Sequence, residues 1–408
     1  MFTYAAFLGH QPNLSIAELA SVIPNFTLIH RFEKKIITFE SSVPITQTTM
    51  DILGGTVLIA EQLSSNKLSL GDVPKVLVKE LESIRGKKVI FALRTFGISP
   101  KNIRTLYREG KNAIRKGGRA SRYVGTEKKP AATALLKDLD LTGKGGCELC
   151  ILVDEDNIWM GKTIAVQNID AYTARDMEKP VRDTTVGLLP PKLAQILINL
   201  GLWLATKDAK SADRKKFKPI TGTVFDPFCG TGVIPLEAIL RGCNVLASDI
   251  SLKAVNGSTK NIEWLRKEMK ILKKDVLSEV WKHDVKKPFA LKNLPDAVVT
   301  ETTLGTPFTS RPSQKDATAE RKKNEEIQEA FLRNAAETMP GVPIVCTWPV
   351  WQVKNKPLYL EKIWKVIEEL PYKPILPVEN EFNERKTMLY RRPDQFIGRE
   401  VVLLSPTE

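Results

Sequence analysis

Five cysteines and three histidines in 408 residues leave little material for disulfide, zinc or histidine-base chemistry. Cys147 and Cys150 form a CxxC pair, but no second ligand pair follows at a zinc-like spacing, so both read as small apolar residues opening the strand CILV and no metal is expected. Long hydrophobic runs are also lacking. The longest, Leu193 to Ala205, is interrupted by Gln195 and Asn199. It falls short of the roughly 20 apolar residues of a bilayer span, so it reads as a buried helix, and no membrane partner is expected. Met1 to His10 has no basic region ahead of an apolar run and no small-residue cleavage site, which makes the expected location cytoplasmic. With 24 Gly and 25 Pro, neither residue is enriched enough to signal disorder or a collagen-like repeat.

What is abundant is positive charge. The 61 Lys and Arg outweigh 47 Asp and Glu, a net +14, which favours a polyanionic partner. The excess is local: residues 66–130 hold 17 basic and 5 acidic residues, a net +12. Within them SPKNIRTLYREGKNAIRK reads as a helix capped by Ser99, with Ile103, Leu106, Tyr107 and Ile114 on an apolar stripe. Lys101, Arg104, Arg108, Lys111 and Arg115 fall outside that stripe, and Arg119 and Arg122 follow the Gly117-Gly118 stop. Acidic partners at helical spacing are nearly absent, and like charges four residues apart repel. These seven residues are therefore expected to contact nucleic-acid phosphates, which supply affinity without sequence information.

A chain of this length is expected to form two to three domains. The first segment alternates apolar runs with helix signals, Ser15 and Glu18 spaced as a capping box before IAELASVI; it ends near residue 65. Strands CELCILV and Trp159 to Val166 close the basic region. A connector runs over 168–184, and LLPPKLAQILINLGLWLA is a helix with Pro at its start. From Gly222 the pattern alternates strictly: strands TVFD, NVLASD, KILKKD, DAVVTE and PIVCTW separated by helices or a polar gap, then a terminal pair of strands. This is the pattern of a doubly wound, mostly parallel sheet. Thr309 to Asn324 reads as a mobile loop.

The chemistry concentrates at DPFCGTG, between strand TVFD and helix VIPLEAILRG. Glycines there let backbone approach a ligand. No Gly-Lys-Ser/Thr follows and a third glycine is missing, so a phosphate cradle and a dinucleotide fit less well than a nucleoside without a phosphate tail. Asp226, Asp249, Asp275 and Glu301 end successive expected strands, and strand ends of open α/β sheets are where ligands bind. An acid at the second strand end suits ribose hydroxyls, and one at the third suits an adenine amino group. The pattern resembles that of an S-adenosylmethionine-dependent methyltransferase.

FLGHQPNLSIAELAS, RDMEKPVRDTTVGLLPPKLAQILINL, DPFCGTG and LYRRPDQFIGREVVLL, in this order over almost the whole chain, resemble the THUMP-domain tRNA guanosine N2-methyltransferases that act on guanosine 10. The resemblance implies an α/β Rossmann-like class I methyltransferase domain behind N-terminal α+β ferredoxin-like and THUMP domains. The expected divisions are 1–65 ferredoxin-like, 66–167 THUMP, 168–184 linker and 185–408 methyltransferase. It further implies S-adenosylmethionine as cofactor, tRNA as partner and a small activator subunit in some relatives. By position, Asp226, Gly230 and Gly232 would line the methionine part of the cofactor, Asp249 the ribose and Asp275 the adenine, with Phe228, Ile250 and Val276 also expected to bind the cofactor.

The departure lies in the substrate motif. Amino-methylating relatives carry Asp or Asn, then Pro-Pro and an aromatic; this chain has Glu301-Thr302-Thr303-Leu304-Gly305. Glu301 and the carbonyl of Thr302 are the expected acceptors for a substrate N–H, a task set by geometry more than by base strength. Leu304 stands where a ring would stack on a flipped base, a contact worth ~1–3 kcal/mol. The sequence leaves three readings open: guanosine N2 methylation with an altered pocket, a methyltransferase-like tRNA-binding protein without efficient catalysis, or amino-methylation of adenine N6 in RNA or DNA.

Overall fold

The computed structural model describes residues 1–64, 68–155, 157–183, 188–207, 219–308, 310–354, 356–378, 385–393 and 395–407. It falls into two compact units, one built from Met1–Pro12 and Ile23–Ile169, the other from Asn13–Val22 and the described residues from Asp170 onward.

The first unit is an eight-stranded sheet of β1 (Phe2–Leu8), β2 (Thr27–Glu33), β3 (Ile36–Ser41), β4 (Thr56–Gln62), β5 (Lys88–Phe96), β6 (Ala120–Val124), β7 (Gly146–Val153) and β8 (Ile158–Val166). Their order is β2-β3-β1-β4-β8-β7-β5-β6. The segments expected as separate domains either side of residue 65 thus share one sheet, because β4 pairs antiparallel with β8 from Leu58 against Val166 to Gln62 against Gly161. The break lies among residues outside the described set. Side chains alternate across a strand, so Cys147 and Cys150 of β7 enter two different buried clusters on opposite faces. They cannot share a metal ion.

The helices before the second sheet are α1 (Pro12–Val22), α2 (Gln47–Asp51), α3 (Val73–Leu81), α4 (Pro100–Lys116) and α5 (Thr133–Asp138). Helix α4 starts where the sequence places it: the Ser99 hydroxyl accepts from the Asn102 amide at 3.3 Å, and Gly117 ends it. Helix α1 does not. It opens at Pro12 rather than at Ser15, so Ser15 and Glu18 are buried inside it and form no capping box. Proline fits the first turn because its missing N–H has no partner there. Leu14 and Ala17 belong to the core of the second unit, and Glu18 accepts from Asn199 Nδ2 at 2.8 Å.

The second unit carries β9 (Thr223–Asp226), β10 (Asn244–Asp249), β11 (Ser278–Lys282), β12 (Ala297–Glu301), β13 (Ile344–Val353), β14 (Lys356–Leu358), β15 (Tyr372–Pro374), β16 (Met388–Tyr390) and β17 (Ile397–Pro406). The main path is β11-β10-β9-β12-β13-β17-β15. Strands β9 to β13 pair in parallel, and β17 runs antiparallel beside β13. Helices α6 (Ile169–Met177), α7 (Pro191–Thr206), α8 (Val233–Leu240), α9 (Leu252–Met269), α10 (Gln314–Thr338) and α11 (Lys362–Glu369) complete it. Val224 and Val299 look into a cluster with α7 and α8, and Phe225 and Val298 into the cluster with α10 and α11. The sheet is therefore covered on both faces, as the alternating pattern requires. The order of successive strands reverses between β9 and β12, which are parallel neighbours, and this is the switch point where open sheets hold ligands.

Two expectations change. KILKKD is not the third strand: Lys270 ends α9 at φ +55°, and the next residues form a turn held by the Arg266 guanidinium on the carbonyls of Leu272 (3.2 Å) and Val276 (2.6 Å). The strand follows it, as β11. The loop expected over Thr309 to Asn324 is mostly the first turns of α10, which Ser313 caps by accepting from the Asp316 amide at 3.1 Å; Thr309 itself lies outside the described residues. The 168–184 connector is built into the second unit through α6, where Arg175 holds Glu237 of α8 by two bonds of 2.7 and 3.2 Å; its last residue, Thr184, is outside the described set.

Candidate active site

Strand β9 delivers Asp226 to the carboxyl edge of the sheet with 2% of its surface exposed. Its Oδ1 accepts from Thr300 Oγ1 at 2.6 Å and from the Phe228 amide at 3.2 Å. Burial pushes its pKa up to about 8; the two donors oppose that shift, and the charges of Asp249 and Glu301 add to it. Asp249, at the end of β10, is tied differently: one oxygen accepts from the Gly230 amide at 3.0 Å and the other from the Ser251 amide at 2.8 Å. Both oxygens are fixed in place and retain lone pairs for further donors.

The two glycines of the loop do separate jobs. Gly230 sits at φ +51° with nothing within 4 Å of where a Cβ would stand, so its backbone is open to a ligand. Gly232, at φ +89°, caps α8, and a Cβ there would meet Ser258 Oγ at 2.5 Å. It serves packing, and it lines neither cavity of the site.

Those cavities adjoin. The larger, about 650 Å³, and the smaller, about 330 Å³, share Phe228, Gly230, Asp249 and Glu301. Asp226 lines the smaller and Ile250 the larger. Asp275 and Val276 line neither: Asp275 is exposed on the turn after α9, and Val276 is buried in the core. His283, Asp284 and Val285, which follow β11, line the larger cavity instead. The sequence signal for them is SEVWK, a short strand run with an acid, Asp284, two residues after its end.

The substrate motif is held without prolines. Thr302 Oγ1 donates to the Thr347 carbonyl at 2.6 Å, and the Gly305 amide donates to Thr303 Oγ1 at 3.2 Å. Gly305 turns the chain at φ +81°, and the Thr306 amide donates to Glu320 Oε2 of α10 at 2.9 Å. Glu301 itself is paired with Arg399 of β17, a residue the sequence reading did not single out. Burial raises the pKa of Glu301 and the adjacent guanidinium opposes that shift. Leu304 lines the larger cavity, as do Phe308 and Phe396. Cys229 lies in the glycine loop, where burial pushes its thiol pKa well above the ordinary value and so disfavours the thiolate.

In the first unit, α4 turns Ile103, Leu106 and Ile114 inward and leaves Lys101, Arg104, Arg108 and Arg115 exposed. Lys111 is half-buried above the Tyr107 ring, and Arg104 pairs with Glu127. Arg122 is exposed on β6. Arg119 differs from the rest: its guanidinium donates to the carbonyls of Leu81, Ile84 and Gly86, closing the turn after α3. Its role is structural. Among the described residues no cluster of His, Cys, Asp and Glu is placed to hold a metal ion, and no helix is long and apolar enough to cross a membrane.

Residues 214–291, which contain the glycine loop, match the family model described as "Conserved hypothetical protein 95". Over 161 residues the chain is 26% identical to a tRNA (guanine(10)-N2)-dimethyltransferase of Methanothermobacter thermautotrophicus; the match takes in 39% of this chain and 38% of that curated relative. Among solved structures, TrmN from Thermus thermophilus aligns over 100% of both chains with a TM-score of 0.50 and 15% identity. A possible methylase from Clostridium difficile 630 aligns over 100% of this chain and 98% of its own, with a TM-score of 0.47 and 10% identity. The chain is thus similar in sequence to a tRNA guanine N2-methyltransferase, and it has the fold of TrmN: a Rossmann-like sheet behind a separate N-terminal α+β unit.

Proposed function

We propose that the chain is an S-adenosylmethionine-dependent methyltransferase acting on the N2 amino group of a guanosine in tRNA, of the position-10 type. The observation that carries this reading is the set of acids Asp226, Asp249 and Glu301 at adjoining strand ends, around an open glycine backbone, between two cavities that share Glu301. The sequence match to a tRNA guanine N2-methyltransferase and the fold of TrmN support it.

The residues present fit the cofactor. Asp249 offers two oriented oxygens to ribose hydroxyls, Asp284 takes the adenine-side place first assigned to Asp275, and Gly230 gives backbone access. Asp226 borders the smaller cavity, where a cationic amino acid tail would favour its ionised form. Bound there, S-adenosylmethionine supplies an electrophilic methyl on a positively charged sulfur. Glu301 and the Thr302 carbonyl hold the substrate N–H so that the nitrogen lone pair is aimed, and Glu301 takes the proton released on alkylation.

In the same reading, residues 1–65 are a ferredoxin-like segment and 66–167 a THUMP segment, whose exposed Lys101, Arg104, Arg108, Arg115 and Arg122 hold tRNA phosphates. The protein works in the cytoplasm, and a small activator subunit would join it there. The test is methyl transfer from labelled S-adenosylmethionine to unmodified tRNA, with nucleosides identified by mass spectrometry and Glu301→Ala run in parallel. Label in N2-methylguanosine that vanishes in the variant is expected; label in another nucleoside, or none, overturns the reading.

A further inference from the structure

Three phenylalanines line the larger cavity, and they are not equivalent. Phe228 is committed to the core through an edge contact with Phe331 at 5.4 Å. Phe308 and Phe396 are half-buried, and among the described residues neither is paired with another ring. Phe396 is anchored by its backbone, its carbonyl accepting from the Gln352 amide at 2.8 Å, so its position is set by β13 and not by ring packing. Next to it, Gln395 lines the same cavity, and its Oε1 is buried with no hydrogen-bond partner among the described residues. A buried amide oxygen without a donor costs ~1–3 kcal/mol, so a ligand donor arriving there would relieve it.

We infer that the segment entering β17 forms the base-recognition wall of the larger cavity: Phe396, which lines that cavity together with Phe308, supplies the stacking ring that Leu304 lacks, and the Gln395 amide hydrogen-bonds the edge of a flipped purine. This deepens the proposed function and rests on it. A volume of about 650 Å³ accommodates a purine nucleoside beside the reacting end of the cofactor. A purine edge bearing N–H donors matches acceptors, and the side chains of Gln395 and Glu301 border one cavity. An aromatic ring is needed because a base taken out of its stack loses its neighbours' faces and must regain one in the pocket.

The inference is tested with the full chain, measuring cofactor Kd by calorimetry and kcat/KM for unmodified tRNA in wild type, Phe396→Ala, Phe396→Trp and Gln395→Leu. Phe396→Ala is expected to lower kcat/KM by about fivefold to 150-fold, with the cofactor Kd unchanged and Phe396→Trp restoring most of the loss. Gln395→Leu is expected to lower kcat/KM about tenfold. Full activity in Phe396→Ala and Gln395→Leu beside an active wild type overturns the inference alone. A wild type that binds cofactor and methylates no guanosine overturns the functional reading and this inference with it. A fall in Phe396→Ala that Phe396→Trp does not restore, or that a weakened cofactor Kd accompanies, assigns the segment to packing and also overturns it.

Discussion

Glu301 at the end of β12 and Arg399 on β17 form an ion pair in which the arginine side chain is 2% exposed and the glutamate side chain 14%. A second guanidinium nitrogen of Arg399 donates to the Leu188 carbonyl at 3.3 Å. The carboxylate that replaces the shorter acid of related motifs is thus held by a strand 98 residues further along the chain.

Removing one partner of such a pair leaves the other charge uncompensated. Arg399→Met is expected to lose about 3–5 kcal/mol of stability in urea unfolding at pH 8, and Arg399→Met with Glu301→Gln to regain most of it. Equal losses in the single and double variants would assign Arg399 to packing alone.

Asp226 gives a pH signature. Its folded pKa of about 8 lies above the unfolded 3.8, so the native state binds the proton more tightly. The contribution of Asp226 to stability is therefore greatest below about pH 4, falls as pH rises through the window to about 8, and levels off above it. Asp226→Asn should flatten this slope between pH 5 and 8 in thermal melts; an unchanged slope would mean that other groups produce it.

The two candidates for the adenine side are separable by calorimetry. Asp284→Ala is expected to weaken cofactor binding about tenfold, the loss of a hydrogen bond to a charged group, and Asp275→Ala to leave it unchanged. Asp249→Ala should weaken it more, because the Gly230 and Ser251 amides lose their acceptor along with the ligand. None of the three should alter tRNA affinity.

On the first unit, Arg108→Glu, Lys111→Glu and Arg115→Glu together should lower tRNA affinity and reduce the slope of log K against log salt by about 2 to 3, near one per lost phosphate contact. Arg119→Ala should act otherwise, lowering the melting temperature with little change in salt slope, since its donors close the turn at Leu81, Ile84 and Gly86. A salt slope that the triple variant leaves intact would remove α4 from the RNA-binding surface.

Much of the fold was legible because its signals are local. Strands β9, β10 and β12 end in an acid next to a turn or helix start, and Ser99 and Gly117 bracket α4, so neighbouring residues alone specify these elements. The misplacement of β11 has an equally local appearance and a non-local cause. KILKKD reads as a strand only from its place after a helix and its closing acid, yet Arg266 of α9 holds the carbonyls of Leu272 and Val276 in a turn, and β10 pairs with the next segment instead. Helix α1 shows the same limit, since Glu18 looks like a cap until Asn199 is found beside it.

The sequence by itself determined the alternating sheet, the open backbone at Gly230, the acids at three strand ends and the basic face of α4. All of these follow from side-chain periodicity, backbone freedom and charge over short spans. Only the tertiary structure decided which acid borders the larger cavity after β11, that Arg399 holds Glu301, that Arg119 is spent on carbonyls, and that Gln395 and Phe396 line the cavity with the substrate motif. Those relationships join residues tens to hundreds of positions apart through sheet order and burial, and no local pattern encodes which distant strand becomes the neighbour.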